Sequence, residues 1–229
     1  MHKAGSLVAA IFILCLGLAA GHSKDPDAVD VALVLAVDCS YSVTEDEFGL
    51  QLQGIADALR SPDVKRLIRS GADGGIGVVL LEWSGHDTQD VAIPWTRLGS
   101  DESIENYADH LLRLHRLESG YTSISGAIGA GLAQLSRVSF RAERRVIDIS
   151  TDGINNDGVQ PDIMRDLAAR AGVTVNGLTI TNDVAYLDLY FQHHVITGPR
   201  SFVVKADDYA AYHEAMKRKL LREIEEPVS

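Results

Sequence analysis

The apolar pattern of the chain switches repeatedly between the period of a buried strand and that of an amphipathic helix. Residues 31–37 form a nearly unbroken apolar run ending at Asp38, the pattern of a strand buried on both faces. Residues 76–83 repeat it. Residues 89–98 predict a third strand, folded back antiparallel on the second across the polar turn 84–88. Pro94 suits an edge position there, where a missing N–H costs no ladder bond. Three more strands are expected at 145–150, 173–180 and 201–204.

Helical spacing fills the gaps. Thr44 stands three residues before Glu47, a capping-box pattern that opens a helix running to about residue 59. Residues 102–117 place Ile104, Ala108, Leu111, Leu112 and Leu114 near one face. A small-residue-rich helix at 125–135 follows, then 161–171 ending at Gly172, a short helix at 185–194 and a last one at 209–224. Ser61, Pro62 and the glycine-containing stretch 71–75 read as breaks.

Alternating strands and helices predict an α/β, Rossmann-like fold. Its central sheet should be mostly parallel with one antiparallel edge strand, and helices should cover both faces. In such sheets ligands sit beyond the carboxyl ends of the strands, where strand order reverses. The residues just after Val37 and just after Ser150 are therefore the first places to look.

Composition narrows this picture. A chain of 229 residues holds one full-size domain, and 46% hydrophobic with 23% charged residues is the balance of a globular protein. The net charge of −11 disfavours nucleic acid and anionic membranes as partners. Lys3, the apolar run 7–20 and the small or polar Gly21, His22 and Ser23 have the three regions of a secretory signal. That run is shorter than the roughly 20 residues a membrane span needs. The expected organisation is a signal peptide over 1–21, cleaved after Ala20 or Gly21, and one domain over 29–224, exported to a periplasmic or extracellular space without stable membrane insertion after cleavage; an uncleaved membrane anchor is the alternative. Cleavage removes Cys15 and leaves Cys39 alone, so the domain has no internal disulfide and relies on core packing.

Asp38-Cys39-Ser40-Tyr41-Ser42 follows the first strand directly. Alternate residues of an extended loop point the same way, so one carboxylate and two hydroxyls can converge. Gly120-Tyr121-Thr122 precedes the small-residue helix, and Ser150-Thr151-Asp152-Gly153 ends a central strand. All of these are oxygen ligands, which select Mg²⁺, Mn²⁺ or Ca²⁺ over softer metals. Helix capping by the same residue types is the alternative, and Ser123 can compete with Thr122 for its role.

On these residues the chain resembles the von Willebrand factor A (VWA) domain family and its metal-ion-dependent adhesion site (MIDAS). It is similar in detail to a bacterial family of exported VWA-like proteins of unknown function. The resemblance covers about 29–223. It implies that Ser40, Ser42 and Thr122 contact a metal ion, with Asp38 and Asp152 binding it directly or through water. It also implies a protein partner that completes the coordination with an Asp or Glu. Three neutral hydroxyls undercompensate a divalent cation, which points the same way.

Other candidates are weaker. Residues 152–158 resemble a calcium loop, but Ile154 occupies a ligand position and no Glu closes it, so a polar turn is expected, with Asn155 near the site. His193 and His194 are expected to be solvated, as are Arg141, Arg144 and Arg145. Cys39 is expected to be a small buried residue. The rival function is a Mg²⁺-dependent hydrolase or phosphatase with Asp38 as nucleophile. Against it, Ser40 stands where such enzymes carry a second Asp, and the chain has no Gly-x-Ser-x-Gly elbow or Walker A loop. A VWA-like domain with a non-functional metal site is the third reading.

Overall fold

The structure is a computed structural model, and it describes residue 25 and residues 27–117 and 119–225. The expected signal segment at 1–21 lies outside the described residues. In chain order the elements are β1 (Ala28–Asp38), α1 (Glu45–Arg60), α2 (Pro62–Ser70), β2 (Ile76–Trp83) and β3 (Gln89–Leu98). Next come α3 (Asp101–Leu111), α4 (Ile124–Leu135), β4 (Arg141–Thr151) and α5 (Pro161–Arg170). β5 (Thr174–Ile180), α6 (Leu187–His194), β6 (Val203–Ala206) and α7 (Tyr212–Ile224) complete the chain.

The strands form one six-stranded sheet in the order β3-β2-β1-β4-β5-β6. Only β3 runs antiparallel to its neighbour, and it lies at an edge. Its pairing with β2 shifts register around Leu80, and Pro94 falls in that irregular stretch. β1 is buried along its whole length and its side chains alternate between two cores. Val31, Leu33, Leu35 and Val37 pack with α1, α2, α3 and α7, while Ala32, Val34 and Ala36 pack with α4, α5 and α6. Strand order reverses between β1 and β4, so their carboxyl ends open a crevice.

Three stretches differ from the sequence expectation. The helix expected over 102–117 ends at Leu111, because Leu112 is exposed and gives a further turn no buried face, and residues 112–117 form a turn and loop instead. The break at Ser61 and Pro62 is the start of a second helix. The Ser61 hydroxyl accepts from Val64 N, and proline at the first turn gives up only an N–H that has no intrahelical partner. Strand β4 begins at Arg141 rather than 145, because β1 supplies a ladder partner as early as Ala28. The capping box at Thr44 and Glu47 is present. Gly172, at φ +66, ends α5 in the left-handed conformation that favours glycine.

Candidate metal centre

Asp38 is the last residue of β1 and Thr151 the last of β4, and the parallel register sets them side by side. The Thr151 hydroxyl donates to Asp38 Oδ2, and Ser40 N donates to Asp38 Oδ1 at 2.7 Å. The second bond closes a turn of the kind aspartate favours. Val43 N donates to Ser40 O at 3.0 Å, which winds the loop back before α1. Gln51, from the buried face of α1, donates to Asp38 O at 3.1 Å. The Arg116 guanidinium donates to the carbonyls of Val43 and Ser40 and so clamps the same loop from outside.

The other side chains close the constellation. Ser40 Oγ and Ser42 Oγ lie 3.2 Å apart, and Ser42 Oγ donates to Asp152 Oδ1 at 2.7 Å. Tyr209 OH donates to Asp152 Oδ2 at 3.0 Å. Thr122 is tied to the loop after β4 by two bonds: its N donates to Asn156 Oδ1 at 2.8 Å, and Asn156 N donates to its carbonyl at 2.9 Å. Ser42, Thr122 and Asp152 line one open pocket of about 390 Å³, with Asp38 and Ser40 fully buried behind them. Ser123 is committed elsewhere: its hydroxyl caps α4 through Gly126 N and donates to Asp157 O. Of the two, Thr122 is the one that lines the pocket. Asn155 accepts from Ser125 N, so it supports α4 and not Thr122.

The electrostatics are unbalanced. Burial, then the charge of Asp152, pushes the Asp38 carboxyl up to about 7 against the hydrogen bonds from Thr151 and Ser40. Burial also raises Asp152, assisted by Asp183 and Glu47 and opposed by Ser42 and Tyr209. Among the described residues no Lys, Arg or His forms an ion pair with either carboxylate. An all-oxygen set with two such carboxylates fits a hard divalent cation. Among the described residues no cluster of three or more His, Cys, Asp or Glu suits a metal, so hydroxyls would have to supply the remaining contacts.

The rim is aromatic. Tyr41 and Tyr121 are exposed and meet edge to face with ring centroids 6.2 Å apart. Cys39 is buried, its Sγ 3.3 Å from Trp83 O, and burial pushes its thiol up to about 12. His193 and His194 are exposed as expected. Arg144 is not a solvated side chain: it is half-buried and donates to the carbonyls of Glu223 and Ile224. Sequence reasoning missed Gln51, Arg116, Asn156 and Tyr209. The Asp152–Asp157 run of polar residues was the one local signal for Asn156, and the other three carry none.

The profile of the family described as protein of unknown function DUF1194 matches residues 28–228. No curated protein matches the chain in sequence. Solved structures share its fold. Proximal thread matrix protein 1 from the mussel byssus superposes with a TM-score of 0.61 at 14% identity, over 85% of this chain and 48% of that one. A second structure of that protein, with a zinc-occupied MIDAS motif, gives 0.60 at 16% identity, over 86% and 46%. The pilus adhesin SpaC of Lactobacillus rhamnosus GG gives 0.61 at 14% identity, over 88% and 31%. A von Willebrand factor type A protein of Catenulispora acidiphila gives 0.56 at 14% identity, over 86% and 43%. The chain spans less than half the length of each of these structures.

Proposed function

The chain belongs to the DUF1194 family and carries a VWA fold, and on that premise we propose that it is an exported module that binds a protein partner through a divalent metal ion. The observation that carries the reading is the pair of buried carboxylates, Asp152 on a pocket wall with hydroxyl-bearing residues and Asp38 behind it, with no paired basic side chain among the described residues.

Asp38, Ser40, Ser42, Thr122 and Asp152 would hold Mg²⁺, with Mn²⁺ or Ca²⁺ as alternatives. Bound there, the cation supplies a positive centre that accepts an oxygen ligand from a partner's Asp or Glu. The zinc in the MIDAS motif of the mussel protein supports a divalent ion on this fold. The residues of this chain do the rest. Asp38 holds the loop turn, Ser42 and Tyr209 orient Asp152, and Asn156 fixes Thr122 at the pocket wall. Asp38 is a poor nucleophile in this setting: it is fully buried and both its oxygens are engaged. That favours binding over phosphoryl chemistry.

Export rests on the segment 1–21, and the intact mass of protein from its native cell should lack about the first twenty residues. Among the described residues no helix is long and apolar enough to cross a membrane.

The function is tested by affinity capture from the exported fraction, in Mg²⁺ and in chelator, with wild type and Asp38→Ala as baits. A partner held only by wild type and only in Mg²⁺ is the expected result, and one Asp or Glu of that partner should account for most of its binding. A partner held equally in chelator and by Asp38→Ala contradicts the coordination model. Hydrolysis of a phosphomonoester with Mg²⁺ that is lost in Asp38→Asn would replace the binding reading with the enzymatic one.

A further inference from the structure

The pocket in front of Asp38 has more room and more apolar wall than one ion and one carboxylate use. Its volume of about 390 Å³ lies in the range of pockets that take a whole small ligand. Beside Ser42, Thr122 and Asp152 it is lined by Tyr41, Tyr121, Ile154 and Val184. Of the large apolar side chains described, Tyr41 at 73% and Tyr121 at 64% are the two most exposed. Aromatic rings offer a large area for burial and are enriched in the cores of interfaces. Here the two most exposed ones stand together at the proposed metal.

The loops that carry the oxygen ligands also carry this wall. Tyr41 lies between Ser40 and Ser42, Tyr121 directly precedes Thr122, and Ile154 stands two residues after Asp152. Tyr41 N donates to Gly120 O at 2.8 Å, which ties the two tyrosine loops together. Gly120 permits the approach, since a Cβ there would stand 3.1 Å from Ser84 Oγ and 3.2 Å from Gly85 N. The rings meet at an interplanar angle of 85° and brace each other as one ledge. Ile154 and Val184 are partly buried and pack on the core beneath α4, α5 and α6, so the facing wall is fixed as well. Asp183 is the one other charged residue in the lining, and it would repel a second acidic group.

We infer that the pocket selects a bulky apolar side chain, aromatic above all, next to the partner's metal-binding carboxylate. That side chain packs between the Tyr41–Tyr121 ledge and the wall of Ile154 and Val184. Such selection rests on the metal ion and carboxylate proposed above, and it narrows the partner to an exposed segment with Phe, Tyr or Trp beside an Asp or Glu. The acid supplies the metal-dependent contact, and the ring supplies the buried area.

The test is calorimetric titration of the full chain, first with Mg²⁺ and then, in saturating Mg²⁺, with N-acetyl dipeptide amides. The probes pair Asp with Phe, Ala or Arg in both orders, and Asn with Phe. The better Asp–Phe order should bind at least about tenfold more tightly than either Asp–Ala peptide, and the Asn–Phe peptides should lose that binding. Truncation of either exposed ring, in Tyr121→Ala or Tyr41→Ala, should cut the preference for Phe over Ala to about twofold or less. Tyr121→Phe keeps the ring and should keep the preference. Asp–Ala peptides that bind as tightly as Asp–Phe, or a preference that survives both truncations, overturn the selection and leave the metal-and-carboxylate reading standing. Tightest binding by the Asp–Arg peptides would assign the choice to Asp183 and overturn it too. So would bound Mg²⁺ with no peptide Kd below about 10 mM. No binding of Mg²⁺, or equal binding of Asn–Phe and Asp–Phe, defeats the metal reading and the selection with it.

Discussion

Asp148 of β4 and Glu223 of α7 share a cation of their own, whereas Asp38 and Asp152, at the carboxyl ends of β1 and β4, share none among the described residues. Lys219 Nζ lies 2.8 Å from Asp148 Oδ1 and 2.6 Å from Glu223 Oε1, and all three side chains are buried. Burial and the charge of Glu223 push Asp148 up to about 8 against the pull of Lys219. Asp148 is thus held toward its protonated form beside the Lys219–Glu223 ion pair, and the trio balances internally. Asp38 and Asp152 have only hydroxyl and amide donors around them. A buried carboxylate pair without its own cation must take up a proton or borrow a cation from outside. The first pair can stay closed and structural, and the second can reach an outside cation through Asp152 at the pocket wall.

The largest way to break this contrast is to take the cation from the closed pair. Lys219→Met should cost about 3–5 kcal/mol of unfolding free energy at pH 7, read by urea denaturation, because it strands buried carboxylates. Mg²⁺ should not restore the loss. A rescue by Mg²⁺ would mean that the two pairs are interchangeable.

The next is pH. The folded-state carboxyls of Asp38 (about 7), Glu82 (about 7) and Asp148 (about 8) all lie above their ordinary values, in each case chiefly through burial. Between about pH 4 and 8 the folded protein holds more protons than the unfolded chain, so in chelator its stability should fall as pH rises. Asp38 should account for on the order of 4 kcal/mol of that fall. Saturating Mg²⁺ should flatten only the part that Asp38 and Asp152 contribute. A metal-free stability that rises from pH 5 to 8 would contradict the assigned burial.

Smaller still is Asp38→Asn in chelator. Removing one of two repelling charges should leave stability unchanged or raise it by about 1 kcal/mol at pH 8, seen as a melting shift of a few degrees. Smallest is Tyr209→Phe, which deletes the hydroxyl on Asp152 Oδ2. It should cost about 1 kcal/mol of stability and weaken metal binding several-fold without abolishing it. Abolished binding would make Tyr209 a ligand and not a support.

The sheet was legible because its strands are buried on both faces and announce themselves as apolar runs. All six appear in the sequence, and the antiparallel edge follows from the short polar turn before β3. Helix α2 was hidden by Pro62, which ends a helix when inside one and starts a helix when at its first turn. Asp38, Ser40, Ser42 and Asp152 stood out in the sequence because they sit at or just after strand ends, and Thr122 because it precedes the small-residue helix; the structure brings Ser42, Thr122 and Asp152 to one pocket. Their supports did not stand out. Gln51, Arg116 and Tyr209 reach the site from other elements, and no local period encodes a contact across the fold. Lys219 reads in sequence as one more charge on an amphipathic helix, and only packing shows that its face is buried.

The central claim is that Asp38 and Asp152 form an open carboxylate pair that a divalent cation completes. It is tested most directly by calorimetric titration of Mg²⁺ into chelator-stripped wild type and Asp38→Ala at pH 8, where Asp38 is ionised. The account predicts one site per chain in wild type and at least about a hundredfold weaker binding in the variant, with the fold intact by circular dichroism. Equal binding by the two proteins, or none by wild type in the millimolar range, would contradict it.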